Sequence, residues 1–250
     1  MGISFDQDVK TTDSPSFAGL TVAGSAVLLS DYASISFDNS ASATTIPAAE
    51  RFVLAADFDT NGPDNISTAD QANNRLTAGA TRVYDVRANI AATAGGTNKT
   101  YEWYAFVLSQ TATTITAATQ ANPVVITAAG HGLSNGQKVA IKSAGGMTEI
   151  NDQVFTVSGV SGADFSLQDD TPANVDGTGF TAYTTGGTVQ LATQTTVHAH
   201  RKFAAADVGA MPAGDLVSIT SGDHVELYVK GITDATNITH ESTSFYMRST

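Results

Sequence analysis

The chain contains no cysteine. Disulfides, thiolate metal sites and cysteine nucleophiles are thereby excluded. A secreted module of 250 residues often carries disulfides, so their absence fits folding in a bacterial cytoplasm. Charge is also scarce, at 14% of residues against about 25% in an average soluble protein. Basic residues are the scarcer sign: 12 Lys and Arg face 24 Asp and Glu, a net charge of −12. A surface of that sign repels phosphate, so neither a nucleic acid nor an anionic membrane is expected as a partner. No apolar run approaches the roughly 18 residues of a membrane helix. Met1-Gly2-Ile3-Ser4-Phe5-Asp6 has no basic start followed by an apolar stretch, so no signal peptide is expected.

Catalytic sets are missing as well. There is no P-loop, no GxSxG elbow and no HExxH. Carboxylate pairs arise cheaply among 24 acids, and the repeat of a long β-helical depolymerase is absent. The expectation is a non-enzymatic protein.

Thr, Ser, Ala, Gly and Asn fill the space left by charge, and they suit short strands and tight turns. Period-2 segments are frequent, whereas 3.6-residue periodicity is not found over any long stretch. In residues 82–90, Tyr84, Val86, Ala88 and Ile90 share one face. In residues 224–230, Val225, Leu227 and Val229 point inward, with His224, Glu226, Tyr228 and Lys230 outward. Both segments read as half-buried antiparallel strands. Residues 100–108 are apolar on both faces: Tyr101 and Trp103 on one, Tyr104 and Phe106 on the other. Both faces need cover, either from a neighbouring subunit or from a loop of the same chain. Turns are marked by Asn61-Gly62-Pro63, Ser134-Asn135-Gly136, Gly145-Gly146, Gly186-Gly187 and Ser221-Gly222-Asp223.

Three stretches resemble known families. Residues 6–24, DQDVKTTDSPSFAGLTVAG, resemble a segment recurrent in phage tail-fibre and related virion proteins. The resemblance implies that residues 1–24 attach the chain to other virion proteins, in the capsid or tail. Residues 50–110 and 193–250 resemble the trimeric jelly roll of tumour necrosis factor and complement-type heads. The matching pieces include Gly214-Asp215-Leu216-Val217-Ser218, Gly222-Asp223-His224-Val225-Glu226-Leu227 and Ser244-Phe245-Tyr246-Met247-Arg248. That likeness implies a homotrimer. Residues 120–190, with Asn122-Pro123-Val124-Val125-Ile126, His131-Gly132-Leu133 and Gly186-Gly187-Thr188-Val189, are similar to a small β-barrel module of phage structural proteins. The module is related to a half-domain of ubiquitin-activating enzyme, and no ubiquitin chemistry is implied because the chain has no cysteine.

The fold expected is therefore all-β: an antiparallel jelly-roll sandwich with an inserted small β-barrel domain and an extended N-terminal segment. Residues 1–24 form that segment, 25–111 with 193–250 the discontinuous jelly roll, and 112–192 the insert. The insert carries its own apolar strands and glycine turns, so it can fold as a unit.

Three candidate sites follow. Asp57, Asp59, Asn61 and Asp64 match the first half of a calcium loop, but Thr68 stands where a bidentate Glu belongs; the other reading is an Asp/Asn-rich turn. His198 and His200 lie on one face of a strand, and three copies at a threefold axis would offer six nitrogens to a transition metal; the other reading is a solvent-facing strand. Tyr101, Trp103, Tyr104 and Phe106 are the candidate subunit interface. His131 is expected to cap backbone, and Trp103 to pack in a core. The functional expectation is a virion-surface protein, made in the bacterial host cytoplasm, serving as a head fibre, decoration or short tail-fibre component. The alternative is a carbohydrate- or receptor-binding adhesin that meets a host-surface glycan.

Overall fold

A computed structural model describes residues 21–22, 25–26, 30–38, 43–55, 58–206 and 208–250. Of the expected attachment segment 1–24, only Thr21 and Val22 fall within them; Thr21–Val22 pairs antiparallel with Ser25–Ala26. Residues 31–250 form one compact unit, described below. It is all-β. Its only helical turns among the described residues are two three-residue 3-10 turns, and no helix there is long and apolar enough to cross a membrane.

Thirteen strands carry the architecture: β1 (Tyr32–Asp38), β2 (Phe52–Leu54), β3 (Arg75–Thr77), β4 (Arg82–Ala94), β5 (Lys99–Thr114), β6 (Val125–Thr127), β7 (Lys138–Lys142), β8 (Gln153–Ser161), β9 (Asp164–Gln168), β10 (Thr188–Phe203), β11 (Val208–Ile219), β12 (His224–Gly231) and β13 (Ile238–Ser249). One sheet has the order β11-β4-β13-β1. The other has the order β10-β5-β12-β3. Every pairing is antiparallel, and the chain crosses between the sheets from β4 to β5 and again from β10 to β11, β11 to β12 and β12 to β13, in the manner of a jelly roll.

The period-2 alternation decides what lies between the sheets. Tyr84, Val86, Ala88 and Ile90 are buried there, as are Tyr101, Trp103, Val225, Leu227, Val229, Phe245 and Met247. His240 sits among them. Its Nε2 accepts the Trp103 indole N–H at 2.9 Å, and its Nδ1 lies 3.2 Å from Thr44 Oγ1. An indole N–H can only donate, so His240 is neutral with its proton on Nδ1. Burial alone pushes its pKa down to about 3.

The insert closes on itself. The chain runs from the end of β5 into Ala117–Ala118, which pairs with β6. From β6 the hydrogen bonds pass to β9, β8, β7 and the start of β10, which returns to the end of β5. Inside lie Val124, Ile126, Val139, Ile141, Phe155, Val157, Phe165 and Leu167. The glycine turns expected at 145–146 and 186–187 meet: Gly145 and Thr185 exchange a backbone bond of 2.8 Å. Gly146 holds φ +80°, and a Cβ there would fall 2.1 Å from the Ala182 carbonyl oxygen, so glycine is required.

Barrel and sandwich are not joined by flexible loops. β5 and β10 are single 16-residue strands that belong to both, with a register shift between Leu108 and Ala112 near the transition. β2 bridges β8 of the barrel and β12 of the sandwich. A small third core fills the junction: Phe52, Phe106, Leu108 and Tyr228 from the host with Ala140 and Val154 from the insert. This corrects the reading of β12. Glu226, Tyr228 and Lys230 face away from the sandwich core as expected, yet they are buried, because β2 and the barrel cover them.

Candidate functional site

The outward face of β11-β4-β13 has an uncharged central strip. Register places Val208 beside Thr93 and Thr239, Ala210 beside Ala91 and Ser242, and Pro212 beside Asn89 and Ser244. None of these side chains ionises. Val83, Val208 and Leu216 are on this face, and they are three of the four large hydrophobics exposed among the described residues. Charge lies at its two ends: Arg87 and Asp85 are 2.9 Å apart with Arg248 beside Asp85 in register, and at the other end the Glu241 carboxylate accepts the Thr93 hydroxyl at 2.7 Å.

The outward face of the opposite sheet carries the apolar junction core and, beside it, a network of ion pairs. Around the barrel junction, Lys230 pairs with Asp170 and with Glu50 (2.7 Å), and Lys138 also reaches Asp170. Burial opposes charge on Lys230, but hydrogen bonds to Asp170 and Glu50 outweigh it and raise its pKa. Burial likewise opposes charge on Asp170, and its two lysines still hold it below the usual carboxylate range. Glu226 is fully enclosed. Lys142 of the barrel approaches it at 2.8 Å and the Tyr228 hydroxyl donates to it at 2.7 Å. Desolvation nevertheless dominates and raises the Glu226 pKa.

On the same face, β5 sets Glu102 opposite His200 and Tyr104 opposite His198. His200 Nδ1 lies 3.1 Å from Glu102 Oε1, and His198 Nε2 lies 3.7 Å from that oxygen. The expected histidine pair thus has a third partner. Only register supplies it, and register is not written in the local sequence.

The double-apolar strand is covered on both sides by its own chain. Tyr101 and Trp103 are in the sandwich core, and Phe106 is fully buried between Phe52 and Tyr228 at 5.1 and 5.4 Å. Tyr104 is half-buried, edge-on to Phe52 and stacked on His198 at 4.2 Å. Of the four aromatics expected at a subunit interface, three are therefore interior residues of one chain. The barrel and β2, not a neighbour, supply the cover. Trp103 packs in the sandwich core, as its sequence context leads one to expect.

The calcium-loop spacing resolves into separate local contacts. Asp57 lies outside the described residues. Thr60–Asn61 is a short strand against β1, the Asn61 side-chain oxygen accepts the Gln71 N–H (2.8 Å), and Asp64 accepts the Ala69 N–H (3.1 Å). Asp59 accepts the Thr60 hydroxyl at 2.8 Å. These are the contacts of a turn holding its own backbone. His131 Nδ1 accepts the Leu133 N–H at 2.9 Å, a backbone cap.

With this geometry in view, residues 121–192 match the family described as the ubiquitin-activating enzyme E1 FCCH domain, and the matched stretch is the closed insert. That domain is a non-catalytic part of its enzyme. No curated protein matches the chain.

Proposed function

We propose that the chain is a non-enzymatic, trimeric structural protein of a virion surface, a head fibre, decoration or short tail-fibre component. The uncharged central strip of the outer β11-β4-β13 face, with Val208, Ala91, Ala210 and Pro212, is the observation that carries this reading. Copies with a net charge of −12 repel one another. They meet at least cost where a strip of sheet carries small and apolar side chains. Three such faces around an axis bury Val83, Val208 and Leu216 and turn the opposite sheet outward. The jelly-roll order supports the same arrangement through its likeness to trimeric heads. Placement on a virion is supported by the likeness of residues 6–24 to phage fibre segments.

The test combines two variants. Ala91→Arg puts a charge at the centre of the proposed contact, where the small side chain opposes Ala210 and Ser242. It is expected to dissociate the trimer without lowering strand content by circular dichroism. Removing residues 1–24 is expected to leave a trimer that no longer joins the particle. Assembly unaffected by Ala91→Arg would move the interface elsewhere; full incorporation of the truncated chain would move the anchor.

A further inference from the structure

We propose that Glu102, His198 and His200 form a site for one first-row transition-metal ion of the zinc or nickel type. The three offer two imidazole nitrogens and one carboxylate oxygen, all within 4.8 Å of one another. Tetrahedral bonds of about 2.0–2.2 Å to nitrogen and oxygen set neighbouring donors roughly 3.3 Å apart. The two histidine–carboxylate separations, 3.1 and 3.7 Å, bracket that value, and the imidazole nitrogens lie within 4.8 Å of each other, so an ion enters as side-chain rotation closes the histidines on it. Mixed nitrogen and oxygen donors select borderline ions over calcium or magnesium, which take oxygen.

The surroundings orient the set. Lys230 Nζ lies 3.4 Å from Glu102 Oε2, which leaves Oε1 facing both histidines. Lys230 is itself tethered by Glu50 and Asp170, so the carboxylate is held from behind. The Tyr104 ring stacks on His198 with planes 17° apart and fixes the imidazole. Partners of this second layer are what hold metal ligands in place. The His200 side chain is 51% exposed, so water completes the coordination. An ion here clamps β5 to β10, the two strands that carry the barrel.

The ligand set is complete within one chain. It faces away from the β11-β4-β13 surface, and so differs from an axial histidine cluster and does not depend on assembly. Metal-stripped protein titrated with zinc chloride in a calorimeter should bind one ion per chain, with micromolar dissociation constant. The double variant His198→Ala, His200→Ala should weaken binding at least a hundredfold, and Glu102→Gln at least tenfold. Calcium chloride at millimolar concentration should not compete. Copper(II) added to the unmutated protein gives a readout independent of the variants: its paramagnetic resonance spectrum should show coupling to two imidazole nitrogens. No saturable zinc binding, binding retained by the double variant, equal competition by calcium, or a copper spectrum without nitrogen coupling would each overturn the proposal.

Discussion

The buried imidazole of His240 should make this fold weaken in acid. His240 is 1% exposed, and its ring lies 6.2 Å from Trp103 and 6.4 Å from Phe37. Its pKa is pushed from 6.5 down to about 3. Between those values the unfolded chain binds a proton that the folded chain refuses. Stability due to this group is therefore intact above about pH 6.5 and falls as pH drops, by about 1.4 kcal/mol per pH unit. From pH 7 to pH 5 the loss is about 2 kcal/mol. His224, pushed down to about 4 chiefly by burial, acts in the same direction, whereas Glu226, pushed up by burial, acts oppositely. The total slope thus mixes several groups, and a comparison isolates one of them. His240→Gln keeps an acceptor for the Trp103 N–H and a donor for Thr44 but cannot titrate. Urea unfolding at pH 7 and pH 5, at one fixed protein concentration, should show the wild type losing about 2 kcal/mol more than the variant. Equal losses in the two proteins would refute the assignment of His240 as a buried neutral imidazole.

Lys142→Met should cost about 3–5 kcal/mol near pH 7, because it leaves Glu226 buried without its cation. The deficit should shrink on acidification, since Glu226 has a raised folded-state pKa and its protonated form needs no partner; urea midpoints across pH 5–8 check this. Trp103→Ala and Phe106→Ala should each cost about 3–5 kcal/mol as core truncations. Melting of the two variants should shift by amounts that do not change with protein concentration, unlike an interface truncation. Replacing 112–192 by a short Gly/Ser linker should lower the melting temperature, because it uncovers Phe52, Phe106 and Tyr228 and strands Glu226. A deletant as stable as the parent would show that the junction core contributes nothing.

Much of the sandwich was legible because a strand declares its faces by alternation. Tyr84, Val86, Ala88 and Ile90 share a face in the sequence and share a core in the fold. Alternation does not say what covers a face. Glu226 and Lys230 read as solvent-facing for that reason, and for the same reason the alternation of residues 100–108 leaves open whether a neighbouring subunit or the same chain covers the second face. The cover comes from β2, about 50 residues earlier than Phe106, and from the barrel, about 35–50 residues later. The His198 and His200 pair was visible from spacing, whereas Glu102 enters only through cross-strand register. Of the Asp57 to Asp64 spacing, Asp59, Asn61 and Asp64 each hold a different local partner, as in the Asp/Asn-rich turn that the spacing also allows.

Assembly is most directly tested by the mass of the purified full-length protein in solution. Light scattering coupled to size exclusion, at micromolar concentration and neutral pH, should return three times 25.7 kDa. The value should not fall on tenfold dilution. A mass of 25.7 kDa under those conditions would contradict the proposal that the β11-β4-β13 face joins three copies.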